Sequence, residues 1–316
     1  MAKRAGNWEN RISRRLKLRD LQILSTVVDC GSMAKGAAQL GLTQPAVSGA
    51  IANLESVVGI RLLDRSPRGV EPTIYGQALL RRGHVAFDEL QQGLQEIEHL
   101  TDPTVGEVRL ACPESLSAGF LAAVIDRTTR QYPRIAVHVV EAQTAEQNFR
   151  ELRERSVDVM LGRLLKPLAH DDVKMEILCD DHFVVAASTA SQWATRKKIA
   201  LKDLMNEQWV LFPNSNVTSP YIEAIFRANR PEPPPATVAT SSTHLRLHLL
   251  ATGRFLTIVQ DSVVRYHAKR WSLKALPVVM QRRPAPIVAF TLKNRTVSPG
   301  VRVFLEHAKG VARSMA

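Results

Sequence analysis

At 316 residues the chain is too long for one typical compact domain, so several hydrophobic cores are expected. With 45% hydrophobic and 23% charged residues it is not a disordered chain, and no apolar run approaches the roughly 20 residues that span a bilayer. Lys and Arg outnumber Asp and Glu by 42 to 30, a formal charge of +12; that balance favours a polyanionic partner, nucleic acid first.

Cys30, Cys112 and Cys179 are too few and too scattered for a disulfide framework or a structural zinc site. The segment Met1 to Arg15 is basic, with Lys3, Arg4, Arg11, Arg14 and Arg15, but has no apolar stretch suited to export. A cytoplasmic protein without metal or cofactor is expected. The basic extension reads as a phosphate-binding arm or as a tail.

Three short helices are predicted between Lys17 and Ile60. The first carries Leu18, Leu21, Ile23, Leu24, Val27 and Val28 broadly on one side and stops at Gly31. Ser32 caps the second, whose Ala34, Ala37, Ala38 and Leu40 allow a close helix crossing before Gly41 makes the turn. Thr43 caps the third, with Pro45 in its first turn, where a missing N–H costs nothing. Its stripe of Val47, Ile51, Leu54 and Val58 is predicted to be buried, which turns Gln44, Ser48, Gly49 and Ala52 outward. Two short strands, Arg61 to Arg65 and Val70 to Thr73, joined at Ser66-Pro67-Arg68-Gly69, read as a wing.

From Thr73 to about Leu100 a long helix is predicted. Its Leu80, Gly83, Phe87, Leu90, Leu94 and Ile97 recur at coiled-coil spacing. A dimer seam formed by Leu80, Phe87, Leu90, Leu94 and Ile97 is the favoured reading, and packing on its own domain the competing one.

Beyond Asp102-Pro103, strands alternate with helices. The pattern predicts strands at 108–112, 135–140 and 157–161 with helices near 119–132 and 145–155. A second set follows: strands at 182–188, 209–212, 237–240 and 255–259, with helices at 219–229 and 243–252. The chain returns with a strand at 287–293 and a helix from Pro299 to about Val311. This predicts two α/β lobes, lobe one from 105–163 plus 276–316 and lobe two from 164–275, so the chain crosses between them twice.

A helix-turn-helix places its second helix in the major groove, N-terminus first. Gln44 suits an adenine edge, and Ser48, one turn on, a base or a phosphate. A plain three-helix bundle with a capped third helix would show the same periodicity. The run Gly31-Ser32-Met33-Ala34-Lys35-Gly36-Ala37-Ala38-Gln39-Leu40, then Thr43-Gln44-Pro45-Ala46-Val47-Ser48, Ile51, Leu54-Glu55, Gly59, Leu62-Leu63, Arg65, Thr73 and Gly76, however, resembles the signature of LysR-type transcriptional regulators.

The resemblance runs from about Leu16 to the end and implies a multidomain fold. An all-α-rich winged helix-turn-helix (16–73) and a linker helix (74–101) would precede an α/β effector domain (105–316) of the two-lobed, type 2 periplasmic-binding-protein kind. It implies promoter DNA as partner, with Ser32, Thr43, Gln44, Pro45, Ser48, Arg65 and the wing-tip Arg68 at the interface. A small-molecule effector, anionic or sugar-like, a homodimer or a tetramer built as a dimer of dimers, and RNA polymerase complete the expected partners. Gly49 departs from the pattern, standing where many members have a longer polar side chain.

In paired α/β lobes ligands bind past the carboxyl ends of strands. Ser115, Thr144 and Arg163 in lobe one, and Asn214, Ser215, Thr218, Ser242, Thr243 and Gln260 in lobe two, stand at such points, though their hydroxyls and amides would also serve as ordinary helix caps. Thr144 is the leading candidate. Arg163 fits either a ligand carboxylate or a hinge salt bridge. His138, His182, His244 and His248 show no metal spacing. Two other classes are weighed: a solute-binding protein of transport type, which would not need the wing or Thr43–Leu54, and an enzyme with Cys112, Cys179 or a serine as nucleophile, for which no phosphate loop or nucleophile elbow is seen.

Overall fold

The computed structural model describes residues 16–66, 69–102, 104–142, 148–165, 167, 170–216, 218–229, 232–280 and 285–315. The basic extension 1–15, Arg68 and Thr144 lie outside the described residues. The chain divides into two compact units, Met1–Gln91 and Gln92–Ala316.

In the first unit, α1 (Leu18–Cys30), α2 (Met33–Gln39) and α3 (Gln44–Val58) follow the expected order. Each boundary has a local cause. Gly31, at φ 61°, ends α1 in the left-handed conformation that a residue without Cβ adopts without strain. Ser32 Oγ then accepts from Lys35 N, and Thr43 Oγ1 from Ala46 N, at the starts of α2 and α3. The crossing of α1 and α2 is tight because a Cβ on Gly36 would sit 3.0 Å from Val27 Cγ2. Val47, Ile51 and Leu54 are fully buried with Leu24 and Val27, while Val58 is partly buried at the edge of this core.

The wing strands β1 (Leu63–Ser66) and β2 (Gly69–Pro72) pair antiparallel. Glu55 fixes their entry, its Oε1 accepting from Leu62 N at 2.8 Å and Leu63 N at 3.3 Å. Val70 N donates to Gly31 O at 2.9 Å, tying the wing to the end of α1. Helix α4 (Ile74–Thr101) starts beneath the wing, where Thr73 Oγ1 donates to Arg61 O and accepts from Gly76 N. Its apolar stripe divides in two. Leu80 and Phe87 pack partly against the core of α1 to α3, whereas Leu90, Leu94, Ile97 and Leu100 are 51–78% exposed.

The second unit holds two five-stranded sheets. The first, ordered β4-β3-β5-β14-β6, comprises β3 (Val105–Cys112), β4 (Arg134–Glu141), β5 (Val159–Arg163), β6 (Val173–Cys179) and β14 (Ile287–Leu292). The second, β10-β9-β11-β7-β12, comprises β7 (Phe183–Ser188), β9 (Gln208–Leu211), β10 (Val238–Ala239), β11 (Phe255–Gln260) and β12 (Leu273–Ala275). Parallel β8 (Ile199–Ala200) and β13 (Val278–Val279) make a small pair beside it. The strands β7 and β11 are buried at every position, as expected of strands covered on both faces.

Helices α5 (Glu114–Leu116) and α6 (Ala122–Gln131) are joined by a π turn at Ser117–Leu121. Then come α7 (Arg150–Arg153), α8 (Ser219–Ala228), α9 (Thr243–Ala251), α10 (Asp261–Trp271) and α11 (Pro299–Arg313).

The expected lobe boundaries shift. Strand β6, expected in lobe two, pairs antiparallel with β14 along Val173↔Leu292 to Cys179↔Ile287 and so belongs to the first sheet. Leu276 and Val278 move the opposite way, into the core of the second. The chain therefore crosses at 180–182 and returns at 280–286. The helix expected near 145–155 is described only as the four residues of α7, bracketed by positive φ at Phe149 and Arg155.

Two glycines make a testable contrast. Gly49 is exposed in mid-α3, where an added Cβ would meet nothing within 4 Å, whereas a Cβ at Gly76 would fall 2.1 Å from Leu62 O. Gly49→Ala should raise stability by about 0.5–1 kcal/mol through helix propensity, and Gly76→Ala should lower it despite the same propensity gain, as read by urea denaturation of the two variants.

Candidate DNA-binding and effector sites

Gln44 and Pro45 are exposed at the start of α3 and Ser48 is half-buried one turn on. With Gly49, Ala52 and Asn53 also exposed, this face is polar or small. It carries no Lys or Arg: none occurs from Gly36 to Ile60, and Glu55 is engaged at the wing. Cationic side chains flank the face instead, at Lys35, Arg61 and Arg65, all exposed. Ser32 and Thr43 are occupied as caps, so their oxygens serve the helices first.

In the second unit, Ser115, Arg163, Thr218, Thr243 and Gln260 line one cleft between the two sheets. Residues that the strand-end pattern did not single out complete it: Glu114, Phe212, Asn216 and Ser241, among others. Asn214 faces a separate groove of about 620 Å³ beside Pro233, Pro234 and Pro235. Ser215 borders neither cavity. Ser242 is a cap, accepting from Leu245 N at 3.2 Å. Thr218 precedes α8 but makes no cap hydrogen bond with its side chain. Gln260, 5% exposed at the end of β11, forms no side-chain hydrogen bond among the described residues. The cap reading thus holds for Ser242 and fails for Thr218.

Arg163 has a definite partner. Its Nε and Nη2 donate to Asp181 Oδ2 at 3.3 and 3.1 Å, Nη1 to Ser115 Oγ at 2.9 Å, and Nη2 also to Ser262 Oγ at 2.9 Å. Both ends of the pair are nearly water-free, at 5% and 2% side-chain exposure. Burial pulls the guanidinium below its ordinary pKa, and the Asp181 charge opposes that pull. Of the two roles open to Arg163 in the sequence, the geometry is that of the hinge salt bridge.

Asp181 also accepts from His182 N and Ser262 N through Oδ1 and from Ser262 Oγ through Oδ2. One carboxylate therefore organises the end of β5, the outward crossing and the start of α10. That helix faces both lobes. Val263 and Val264 enter the second core, while Tyr266 packs on the first, so close to Gly119 that a Cβ there would lie 2.9 Å from its ring.

Cys112 and Cys179 offer little nucleophilic character. Burial pushes the Cys112 thiol up to about 12 and Cys179 to about 11, so both are protonated near neutral pH, and the thiolate is the reactive form. No helix among the described residues is long and apolar enough to cross a membrane.

Two family models match the chain. Residues 18–77 match the bacterial regulatory helix-turn-helix protein, lysR family, and residues 101–313 match the LysR substrate binding domain. The chain belongs to the LysR family of transcriptional regulators. This LysR-family regulator is 26% identical over 308 residues to the HTH-type transcriptional regulator GbpR of Azospirillum brasilense, covering 95% of this chain and 87% of that one. It is 27% identical to TdcA of Escherichia coli strain K12, covering 93% and 92%. Its fold resembles that of CbnR, a LysR family regulator, at TM-score 0.63 and 21% identity over 94% and 99% of the two chains. It also resembles full-length OxyR from Pseudomonas aeruginosa, at TM-score 0.66 and 18% identity over 94% and 95%. CbnR has in addition been solved with its target DNA, a chain matched at TM-score 0.55 and 22% identity over 94% and 100%.

The hinge pair sets an expectation for stability. Asp181→Ala leaves the Arg163 charge buried without its partner, a change that costs about 3–5 kcal/mol, so the variant's C-terminal unit should unfold at clearly lower urea. Unfolding at the wild-type midpoint would remove the pair from its central place.

Proposed function

We propose that this regulator reads promoter DNA with the N-terminal half of α3, Gln44 and Ser48 facing base edges and Pro45 fixing the first turn, while Arg65 and the wing grip phosphate. The capped, outward-facing start of α3 on a fully buried stripe carries this reading. Ser32 and Thr43 would add hydroxyl contacts to their cap roles. Arg68 joins this surface by the family resemblance alone.

The effector reading rests on polar groups from both lobes converging on one cleft: Ser115 from one side, and Asn216, Thr218, Ser241 and Gln260 from the other. A small anionic or sugar-like molecule would bind there and change how paired DNA-binding modules sit on the promoter, with RNA polymerase as a downstream partner. Thr144 is carried as a further contact from the sequence. The regulator would act in the cytoplasm, where promoter DNA lies, without catalysing a reaction.

Gel-shift titrations test the DNA reading. Gln44→Ala should flatten discrimination between operator and scrambled DNA, whereas Arg65→Ala should weaken both and lower the salt slope by about one unit. Equal loss of specificity in the two variants would contradict the assignment.

Dimerisation is proposed through the exposed half of the α4 stripe, Leu90, Leu94 and Ile97, whose 51–62% exposure leaves apolar surface for a second copy. Leu80 and Phe87 would contribute less to the seam, because they already pack in their own unit. Leu90→Asp with Leu94→Asp should sediment as a monomer with weakened operator binding; a stable dimer would overturn the seam.

A further inference from the structure

The cleft as it stands is too small for a metabolite. Its cavity is about 50 Å³, room for roughly three waters, against the about 300–1,000 Å³ typical of ligand sites. Glu114, on lobe one just past β3, lines it and reaches across to lobe two. Its Oε2 accepts from Thr243 N at 2.7 Å and its Oε1 from His244 N at 3.1 Å, so one carboxylate bridges to the first two N–H groups of α9 in lobe two. The third, Leu245 N, is taken by the Ser242 cap. A helix start with two convergent N–H groups is an anion site, and here the chain fills it with its own carboxylate.

A second observation in the same place calls for negative charge. Arg246, on the first turn of α9, is 2% exposed; its guanidinium lies 3.7 Å over the Phe212 ring that lines the cleft and donates to Thr240 O. Its Nε is buried without a partner, and no carboxylate is within ion-pair distance of it among the described residues. Burial lowers its pKa to about 10, with the Glu114 charge opposing that fall. Behind Glu114 lies another cavity, about 290 Å³, walled by His244, Tyr266, His267, Arg270 and Trp271. Glu114 and Thr243 line both cavities, so moving the Glu114 side chain would join them into a space that reaches metabolite size.

We infer that Glu114 is a built-in substitute for the effector's carboxylate: an organic acid binds by displacing Glu114 from Thr243 N and His244 N, with its body in the joined cavity against Tyr266 and Trp271. This inference rests on the cleft being the effector site and names the ligand class as a carboxylate with an apolar or aromatic body. Displacement exchanges an intramolecular tie between the lobes for a ligand, which is how occupancy would alter their spacing.

The test is rescue by acetate in the full-length chain. Glu114→Ala removes the resident carboxylate and leaves a hole of its size, so acetate should stabilise this variant, by about 3 °C in Tm at a concentration tenfold above its Kd. Wild type, its site filled, should gain less than a third of that; acetamide and chloride at matched concentration should give neither protein a gain. No acetate gain in Glu114→Ala, or an equal gain in wild type, overturns the inference.

If Glu114→Ala does not fold, Glu114→Gln, of the same size without the charge, takes its place. Amide exchange at Thr243 and His244 should then quicken about tenfold or more, and unchanged exchange overturns the inference. Operator binding titrated with benzoate tests the cleft separately: a benzoate-induced change in wild type that Gln260→Ala loses supports the cleft as the effector site, and a change that Gln260→Ala keeps in full removes it, whatever acetate does in Glu114→Ala, so the anion site and the effector site can fail independently.

Discussion

The buried ion pair of Arg163 and Asp181 is the constraint around which the second unit is arranged. Two charges at 5% and 2% exposure are tolerable only if their remaining hydrogen-bonding capacity is met, and here Ser115, Ser262 and His182 N meet much of it. Satisfying the pair fixes where the chain passes between sheets. The return crossing is drawn to the same place, since Ala285 N donates to Asp181 O and Pro286 O accepts from Leu164 N. Both crossings are therefore tied together at one knot.

That knot gives Glu114 its significance. It lies on the same post-β3 segment as Ser115, which Arg163 holds; its side chain reaches across the cleft while its neighbour is anchored at the hinge. The hinge contact and the cleft contact thus share one short piece of chain. Under the proposed displacement, the cleft contact would be released while the ion pair stays made.

Where interactions are local, the sequence was legible. Caps at Ser32 and Thr43, the stripe Val47, Ile51 and Leu54, and the stops at Gly31 and Gly41 are decided within a turn or two of chain, and the helix-turn-helix follows from them. Strand ends also located Ser115, Thr218, Thr243 and Gln260 at one cleft. What escaped was set by partners far along the chain. Strand β6 gains its place from β14, more than a hundred residues on. Helix α10, which the sequence pattern did not predict, gives Val263, Val264 and Trp271 to the second core and the mid-helix Tyr266 to the first, so its few apolar positions are divided between two partners that lie far apart in the chain. Glu114 was missed because strand ends point to hydroxyls and amides that hold a ligand, and a carboxylate that takes a ligand's place has no pattern of its own in the sequence.

A self-liganded cleft also sets the strength of signal that the effector delivers. A tethered carboxylate competes at an effective concentration that, for a short flexible link, is on the order of millimolar. An acid offering only its carboxylate would gain little over Glu114; selectivity therefore falls to the rest of the molecule and to the walls of Tyr266, His267 and Trp271 that it alone touches. The coupling passed to DNA is bounded by the difference in affinity between the two lobe arrangements, typically about 1–3 kcal/mol.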